Sequence, residues 1–126
     1  MIPEGLLYTK EHEWVKVEGK AATIGISDYA QEQLGELVFV ELPAKGGEFS
    51  QGKELAVVES SKAASDVYSP VTGKVTAVNS QLKSKPELIN QDCYSRGWIC
   101  KMEITDGESL KNLMDSKQYE QYLKGL

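Results

Sequence analysis

A single lysine stands out among the side chains that could carry chemistry. Lys62 lies in the stretch Ser60-Ser-Lys-Ala-Ala-Ser65, where every neighbouring residue is small. Apolar runs of strand type at residues 55–58 and 67–68 flank this stretch, so we expect two strands joined by a tight turn with Lys62 at or beside its tip. Most loop lysines are simply hydrated. The small neighbours favour a second interpretation, in which a group larger than water approaches the Lys62 amine.

Glu11, His12 and Glu13 form the first polar cluster of the chain. Two carboxylates and an imidazole are residue types that perform general acid–base catalysis. Nothing in the spacing shows that these side chains converge on one point. On composition alone, we therefore favour a solvated strand edge over a catalytic set.

Composition argues against several classes of function. The 126 residues are enough for one domain with one hydrophobic core. A formal net charge of -5 argues against nucleic acid as the main partner, because phosphate binding needs concentrated Lys and Arg. An acidic surface suits docking against basic rims on protein partners, and it also aids solubility.

The same sequence shows no membrane or targeting signal. No apolar run approaches the length of a membrane span, so we expect no membrane association. Residues 1–5 resemble neither a signal peptide nor a transit peptide. We therefore expect a cytoplasmic protein, or a mature mitochondrial matrix protein from which a transit peptide has been removed.

Cys93 and Cys100 are the two cysteines, and they form no Cys-x-x-Cys motif. The one histidine, His12, is far away in sequence, so we expect no metal site. Alternation over residues 97–104 points Cys100 into the core as a small apolar residue. We expect Cys93 to lie exposed in the preceding loop, without a disulfide to Cys100.

Alternating and β-branched runs predict that strands dominate the chain. The predicted strands lie at residues 13–17, 21–26, 37–42, 55–58, 67–68, 74–78 and 97–104. A short helix is expected to open at Ser27-Asp28, where Asp28 and Gln31 resemble a capping pair, and to end at Gly35. Residues 79–85 read as a polar loop, and residues 86–90 as one helical turn.

The last part of the chain is predicted to be helical. Residues 108–114 fit one short helix, and Asp115 with Gln118 resembles the cap of another. Three residues of that second helix form an apolar stripe that we expect to pack in the core: Tyr119, Tyr122 and Leu123. Strands followed by helices at the end of the chain predict a mainly-β, α+β domain.

Several motifs carry a family resemblance. The segment Glu59-Ser-Ser-Lys-Ala-Ala-Ser-Asp66, followed by Tyr68-Ser-Pro-Val-Thr-Gly73, resembles the lipoyl-lysine segment of lipoyl domains. The remaining motifs are Tyr8-Thr-Lys-Glu-His-Glu-Trp14, Ile24-Gly-Ile-Ser-Asp-Tyr-Ala-Gln-Glu-Gln-Leu-Gly35, Val38-Phe-Val-Glu-Leu-Pro43, Pro86-Glu-Leu-Ile-Asn90 and Gly97-Trp98. Together, in this order and at these spacings, they resemble the glycine cleavage system H-protein family over nearly the whole chain.

The resemblance implies a fold as well as a function. It implies a flattened barrel-sandwich hybrid of the lipoyl/biotinyl type, with a short helix in the N-terminal half and helices at the C-terminus. Residues 1–126 would form a single lipoyl-carrier domain, with a lipoyl-type core over roughly residues 20–104 and a helical segment over roughly residues 106–126.

The implied function is that of a carrier and not of an enzyme. Lys62 would hold lipoate in amide linkage, as N6-lipoyl-lysine, and the dithiolane of lipoate would supply the chemistry. The arm would carry an aminomethyl group from the P protein (glycine decarboxylase) to the T protein (aminomethyltransferase) and electrons to the L protein (dihydrolipoyl dehydrogenase). A lipoate ligase or lipoyl transferase would attach the cofactor, and we expect a monomer.

The resemblance also assigns roles to four acidic residues. In this family the loaded arm is sheltered in a surface cleft, and the cleft positions correspond to Glu13 and Asp66. Carboxylates there suit the cationic amine of the carried group. Glu11 sits where related chains carry other polar residues, and it is a further candidate. Glu59, which the lipoyl motif shares, is expected to take part in recognition by the lipoylating enzyme.

Two departures and three alternatives accompany this interpretation. Ser61 stands where the family more often has Val, and Cys93 stands where it often has Pro. A biotinyl carrier uses the same fold, but its lysine normally lies between two Met residues, whereas Lys62 lies between Ser61 and Ala63. A lipoyl relay that donates lipoyl groups to 2-oxoacid dehydrogenase subunits is the alternative function. An unmodified interaction domain is the third.

Overall fold

The computed structural model describes residues 2–126, and strands dominate it as predicted. The strands are β1 Leu7–Tyr8, β2 Glu13–Glu18, β3 Ala21–Ile26, β4 Leu37–Glu41, β5 Glu48–Phe49, β6 Glu54–Ser60, β7 Ala64–Tyr68, β8 Thr72–Val78 and β9 Cys100–Asp106. The helices are α1 Asp28–Leu34, α2 Leu88–Asp92 and α3 Ser116–Lys124, with 3-10 helices at Ser80–Lys83 and Gly107–Asn112. The mainly-β prediction is confirmed.

Two antiparallel sheets share one apolar core. The larger sheet has the strand order β1-β2-β3-β9-β8-β5, and the smaller one has the order β4-β6-β7. One buried cluster takes side chains from both sheets, including Val15 and Met102 from the larger sheet and Val40, Val58 and Val67 from the smaller one. Burial of these apolar surfaces holds the sheets together.

The period-2 pattern of β9 sets which face of the larger sheet is buried. Cys100, Met102 and Ile104 are buried, while Lys101 and Glu103 between them are exposed. This is the alternation expected of a strand with one face on the core. The inward position predicted for Cys100 is therefore confirmed.

The N-cap of helix α1 lies one residue earlier than predicted. Ser27, not Asp28, is the N-cap residue, and its hydroxyl accepts a hydrogen bond from the backbone N–H of Ala30. Asp28 is the first helical residue, and its carboxylate accepts a bond from the Gln31 side chain. Gly35 ends the helix with a φ of 84°, a conformation that glycine adopts without a Cβ clash.

Three expectations for loops and helix ends are wrong. Residues 80–83 form a 3-10 helix rather than an open loop, because Leu82 is fully buried in the main core. Cys93 is buried and not exposed, although both cysteines are free thiols as expected. The helix predicted at residues 108–114 is a 3-10 helix that ends at Asn112, and Met114 forms a β-bridge with Tyr8.

Helix α3 packs through a second, aromatic cluster. Asp115 and Gln118 form the predicted capping box at its start. Tyr119 is fully buried with Tyr8 and Trp14, and Tyr122 and Leu123 pack against this group. The apolar stripe is thus core packing, as predicted. None of the helices within residues 2–126 is long and apolar enough to cross a membrane.

Gly73 lies where two strands approach too closely for a side chain. A Cβ atom built on Gly73 would overlap the backbone oxygen of Glu103, on the paired strand β9. We predict that Gly73→Ala lowers the free energy of unfolding by about 2–3 kcal/mol, because β8 and β9 must separate to admit the methyl group. Urea unfolding measures this change. Gly107→Ala is the control, since nothing lies within 4 Å of a Cβ there, and an equal loss in both variants would contradict the explanation.

Candidate functional site

Lys62 lies at the tip of the hairpin formed by β6 and β7. The last paired residues before the tip are Glu59 and Ala64. The Ser60 hydroxyl accepts hydrogen bonds from the backbone N–H groups of Lys62 and Ala63, at 3.3 and 3.2 Å. The turn is therefore held by the backbone and by one serine, while the Lys62 side chain is exposed.

The lysine side chain lies over the C-terminal end of α1. A Cβ atom built on Gly35 would lie 3.4 Å from Lys62 Cε and 3.8 Å from Lys62 Nζ. Any side chain at position 35 would compete for the space along the lysine. The sequence indicated Gly35 only as a helix cap, because a contact across 27 positions leaves no local signal.

A cleft of about 200 Å³ opens beside the end of β7 that lies farthest from the hairpin tip. Four segments line it: Thr9–Glu13 (without His12), Gln51–Gly52, Tyr68–Pro70 and Asn112–Met114. Of the acidic residues considered from the sequence, Glu11 and Glu13 line the cleft, whereas Asp66 and Glu59 do not. The cleft thus brings together parts of the chain that are distant in sequence.

Glu13 is the buried acid of this cleft. Only 1% of the residue is exposed, which excludes the solvated strand edge that composition alone favoured. One carboxylate oxygen accepts a hydrogen bond from the Thr9 hydroxyl, and the other accepts one from the backbone N–H of Tyr68 at 3.1 Å. Burial raises the pKa of Glu13 to about 7, although both hydrogen bonds act in the opposite direction. The group can therefore exchange a proton near neutral pH.

Gln51 lines the cleft and joins segments around it. Its side-chain amide donates hydrogen bonds to the carbonyls of Pro70 and Ser109, at 2.8 and 2.7 Å, and its carbonyl accepts one from the Asn112 amide at 3.0 Å. One side chain therefore joins three of the connecting segments around the cleft. Neither Gln51 nor Thr9 had a sequence signal, because their partners lie in other loops.

The remaining acidic candidates lie on the outer face of the smaller sheet. The strand register places Asp66, Val57 and Glu41 side by side across the three strands. The next row on the same face consists of Ala64, Glu59 and Phe39. Phe39 is 52% exposed, and its neighbour Val38 is 58% exposed. This sheet face combines apolar and carboxylate groups on the strands that lead into and out of the Lys62 turn.

These carboxylates have no cationic partner within residues 2–126. The ion pairs found there are Arg96 with Asp92 and Lys111 with Glu108, both outside this face. No group of three or more His, Cys, Asp or Glu side chains in the same part of the chain is arranged to hold a metal ion. The chemistry available at the hairpin is thus that of one amine, several carboxylates and a sheltered cleft.

The raised pKa of Glu13 predicts a pH-dependent cost to folding. Because the folded state binds this proton more tightly than the unfolded chain, the contribution of Glu13 to stability falls as pH rises from its usual pKa of 4.5 to about 7. Glu13→Gln should remove this fall, so the variant gains up to about 3 kcal/mol over the wild type between pH 4.5 and 8. Free energies of unfolding in urea across this range measure the effect, and two parallel pH curves would contradict it.

Known proteins resemble the chain over nearly its whole length. A family model described as Glycine cleavage H-protein matches residues 6–126. The Glycine cleavage system H protein of Halothermothrix orenii is 50% identical over 123 residues, which cover 98% of this chain and 96% of that protein. The Glycine cleavage system H protein of Alkaliphilus oremlandii is 55% identical over 118 residues, which cover 94% of this chain and 92% of that protein. A crystal structure of a glycine cleavage system H protein from Mycobacterium marinum has a TM-score of 0.90 at 34% identity, covering 99% of this chain and 100% of that one. The chain belongs to the glycine cleavage H-protein family.

Proposed function

We propose that this chain is the lipoyl-bearing shuttle of the glycine cleavage system, with lipoate attached to Lys62. One observation carries the proposal. In a chain of this family, Lys62 lies at an exposed turn, and the Ser60 hydroxyl holds the backbone of that turn. The protein acts as a carrier, and the reactions belong to the enzymes that it visits. We propose one lipoyl-carrier domain over residues 1–126 that works as a monomer in the cytoplasm.

The hairpin fits a lysine that must be acylated by an enzyme. Ser61, Lys62, Ala63 and Ala64 are all exposed, so a lipoate ligase or lipoyl transferase can surround the amine without displacing a large side chain. Ser61 is itself small, so we expect its hydroxyl not to prevent modification of Lys62. Glu59 is half-buried at the base of the turn, where it offers a carboxylate for recognition by that enzyme. Acylation removes the charge of Lys62, so the arm can lie against protein instead of staying hydrated.

When bound, lipoate supplies a dithiolane that accepts an aminomethyl group together with two electrons and is later reoxidised. The chain's own residues provide the shelter. Glu13 and Glu11 place carboxyl groups in the cleft, where they favour the cationic amine of the carried group. Asp66 precedes Tyr68 by two residues, about 7 Å along β7, so it stands between the hairpin tip and the cleft.

The outer face of the smaller sheet suits the protein partners. Phe39 and Val38 offer apolar contact area, and Glu41, Glu59 and Asp66 add negative charge around it. A partner with an apolar socket and a basic rim complements both features, and its docking would raise the effective concentration of the tethered arm. The proposed partners are the P, T and L proteins of the system.

The first test concerns the attachment site. Incubation of the unmodified protein with a lipoate ligase, lipoate and ATP should add the mass of one lipoyl group, because Lys62 is the presented amine. Lys62→Arg should gain none, while the control Lys53→Arg, an exposed lysine just before β6, should be modified like the wild type. Intact-mass spectrometry measures both.

The same preparations test the shuttle itself. The lipoylated wild type should support exchange of bicarbonate carbon into glycine with P protein, and Lys62→Arg should not. A lipoylated protein that supports no exchange would overturn the shuttle and favour the lipoyl relay. An unmodified Lys62 would overturn both.

The second test concerns the cleft. We predict that Glu13→Gln is lipoylated normally but shortens the lifetime of the loaded form about tenfold, because a charge-assisted hydrogen bond to the carried amine is lost. Intact mass followed over time, after removal of glycine and P protein, gives this lifetime. Glu18→Gln, an exposed acid at the far end of β2, is the control. An unchanged lifetime in Glu13→Gln would contradict the assignment of this cleft.

A further inference from the structure

His12 has an unusual backbone conformation beside the cleft. Its φ of 72° makes it the one non-glycine residue within residues 2–126 with a positive φ. Histidine adopts this left-handed region more readily than most residues, but the conformation still persists only where surrounding contacts hold it. His12 immediately precedes Glu13, so its backbone sets the direction in which the Glu13 side chain leaves the turn.

A row of side-chain hydrogen bonds holds His12. Its Nδ1 lies 2.8 Å from the Tyr119 hydroxyl, and that hydroxyl lies 2.7 Å from the Ser27 hydroxyl. In one tautomer protons are donated from Ser27 toward His12, and in the other they are donated from His12 toward Ser27, so the row is complete in both. The backbone closes the arrangement, because Ser27 N–H donates to the His12 carbonyl at 2.8 Å.

The held turn aims the carboxyl group into the cleft. Thr9 N–H donates to the Glu13 carbonyl at 3.0 Å, and Glu13 N–H donates to the Thr9 hydroxyl, also at 3.0 Å. The same hydroxyl donates to the Glu13 carboxylate. A change of φ at His12 would break this reciprocal set, and the carboxyl group would lose its fixed position.

The anchor of the row is a rigid ring from the other end of the chain. Tyr119 of α3 is fully buried, and it stacks on Tyr8 with ring centroids 4.5 Å apart and planes 1° apart. His12 also contacts the ring of Tyr29, at 4.5 Å between centroids. Burial lowers the pKa of His12 and so favours the neutral ring, against the opposing charge of Glu11.

We propose that His12 and Tyr119 are positioning residues for Glu13, so that helix α3 controls how firmly the cleft holds the loaded arm. The proposal rests on the proposed function of Glu13 in the cleft. A purely structural role for the row would lower the stability of the fold without changing the titration of Glu13. The titration of the unmodified protein therefore separates the two roles without any lipoate present.

The experiment compares two matched hydroxyl deletions. Tyr119→Phe removes the centre of the row. Tyr94→Phe removes a hydroxyl that accepts the Asp28 N–H at 3.0 Å and makes no hydrogen bond to His12, Tyr119 or Glu13. The readouts are the Glu13 titration, by ¹³C NMR of glutamate carboxyl groups, and the lifetime of the loaded form. Lys10 and Glu11 line the same cleft, and the backbone N–H of Tyr68 donates to the Glu13 carboxylate. None of these three residues is mutated in either variant.

We expect Tyr119→Phe to move the Glu13 titration toward lower pH, because a freed carboxyl group becomes hydrated, and to shorten the lifetime roughly three- to tenfold. Tyr94→Phe should change neither, at a similar loss of thermal stability. If both variants lose stability and Glu13 titrates as in the wild type, the row is only structural and the proposal fails.

A second variant covers the case in which Tyr119→Phe does not fold. His12→Asn keeps a residue that tolerates a positive φ but is too short to reach Tyr119, so it should produce the same two changes. Wild-type values in His12→Asn would overturn the proposal. If Glu13→Gln leaves the lifetime unchanged, the function proposed for the cleft fails, whereas an unshifted Glu13 titration in Tyr119→Phe overturns the positioning itself.

Discussion

The buried carboxyl group of Glu13 joins the two sheets beside the cleft. Glu13 belongs to β2 of the larger sheet, and it accepts the backbone N–H of Tyr68 from β7 of the smaller one. A carboxyl group is costly to bury unless it is hydrogen-bonded, and the Thr9 hydroxyl provides the second bond. Both sheets must therefore keep their relative position for this group to remain satisfied. The end of β7 and the cleft beside it share this contact.

The exposed lysine and the cleft lie in different parts of the site. The hairpin tip carries small, exposed residues around Lys62, so an enzyme could reach the amine without displacing a large side chain. The cleft lies beside the end of β7 that is farthest from that tip, and its lining comes from four segments, three of which Gln51 joins. A rigid scaffold would suit the proposed carrier, because a tethered arm could then move while the docking surfaces stay fixed. Every buried side-chain nitrogen and oxygen within residues 2–126 has a hydrogen-bond partner, which is consistent with such rigidity.

Local patterns were sufficient where the physical cause is local. Alternation along β9 predicted which side chains are buried, and the Asp115–Gln118 capping box followed from residues three positions apart. The errors arose where tertiary contacts overrode local polarity. Leu82 is buried in the main core, and residues 80–83, predicted as a loop, form a 3-10 helix around it. Cys93 is buried beside Trp14, whose indole N–H donates to the Cys93 carbonyl at 3.0 Å, a contact across 79 positions that no local pattern reveals.

The sequence by itself determined the strand-rich fold, the turn that carries Lys62 and the membership of a family whose motifs lie in order along the chain. These features follow from residues that are neighbours in sequence, since turn formation and strand alternation act over a few positions. Only the tertiary structure decided that Glu13 is buried at the wall of a cleft, that Asp66 stands outside it, and that Tyr119 reaches His12. The physical reason is that burial and hydrogen-bond partners depend on which distant segments meet, and four of those segments meet at this cleft.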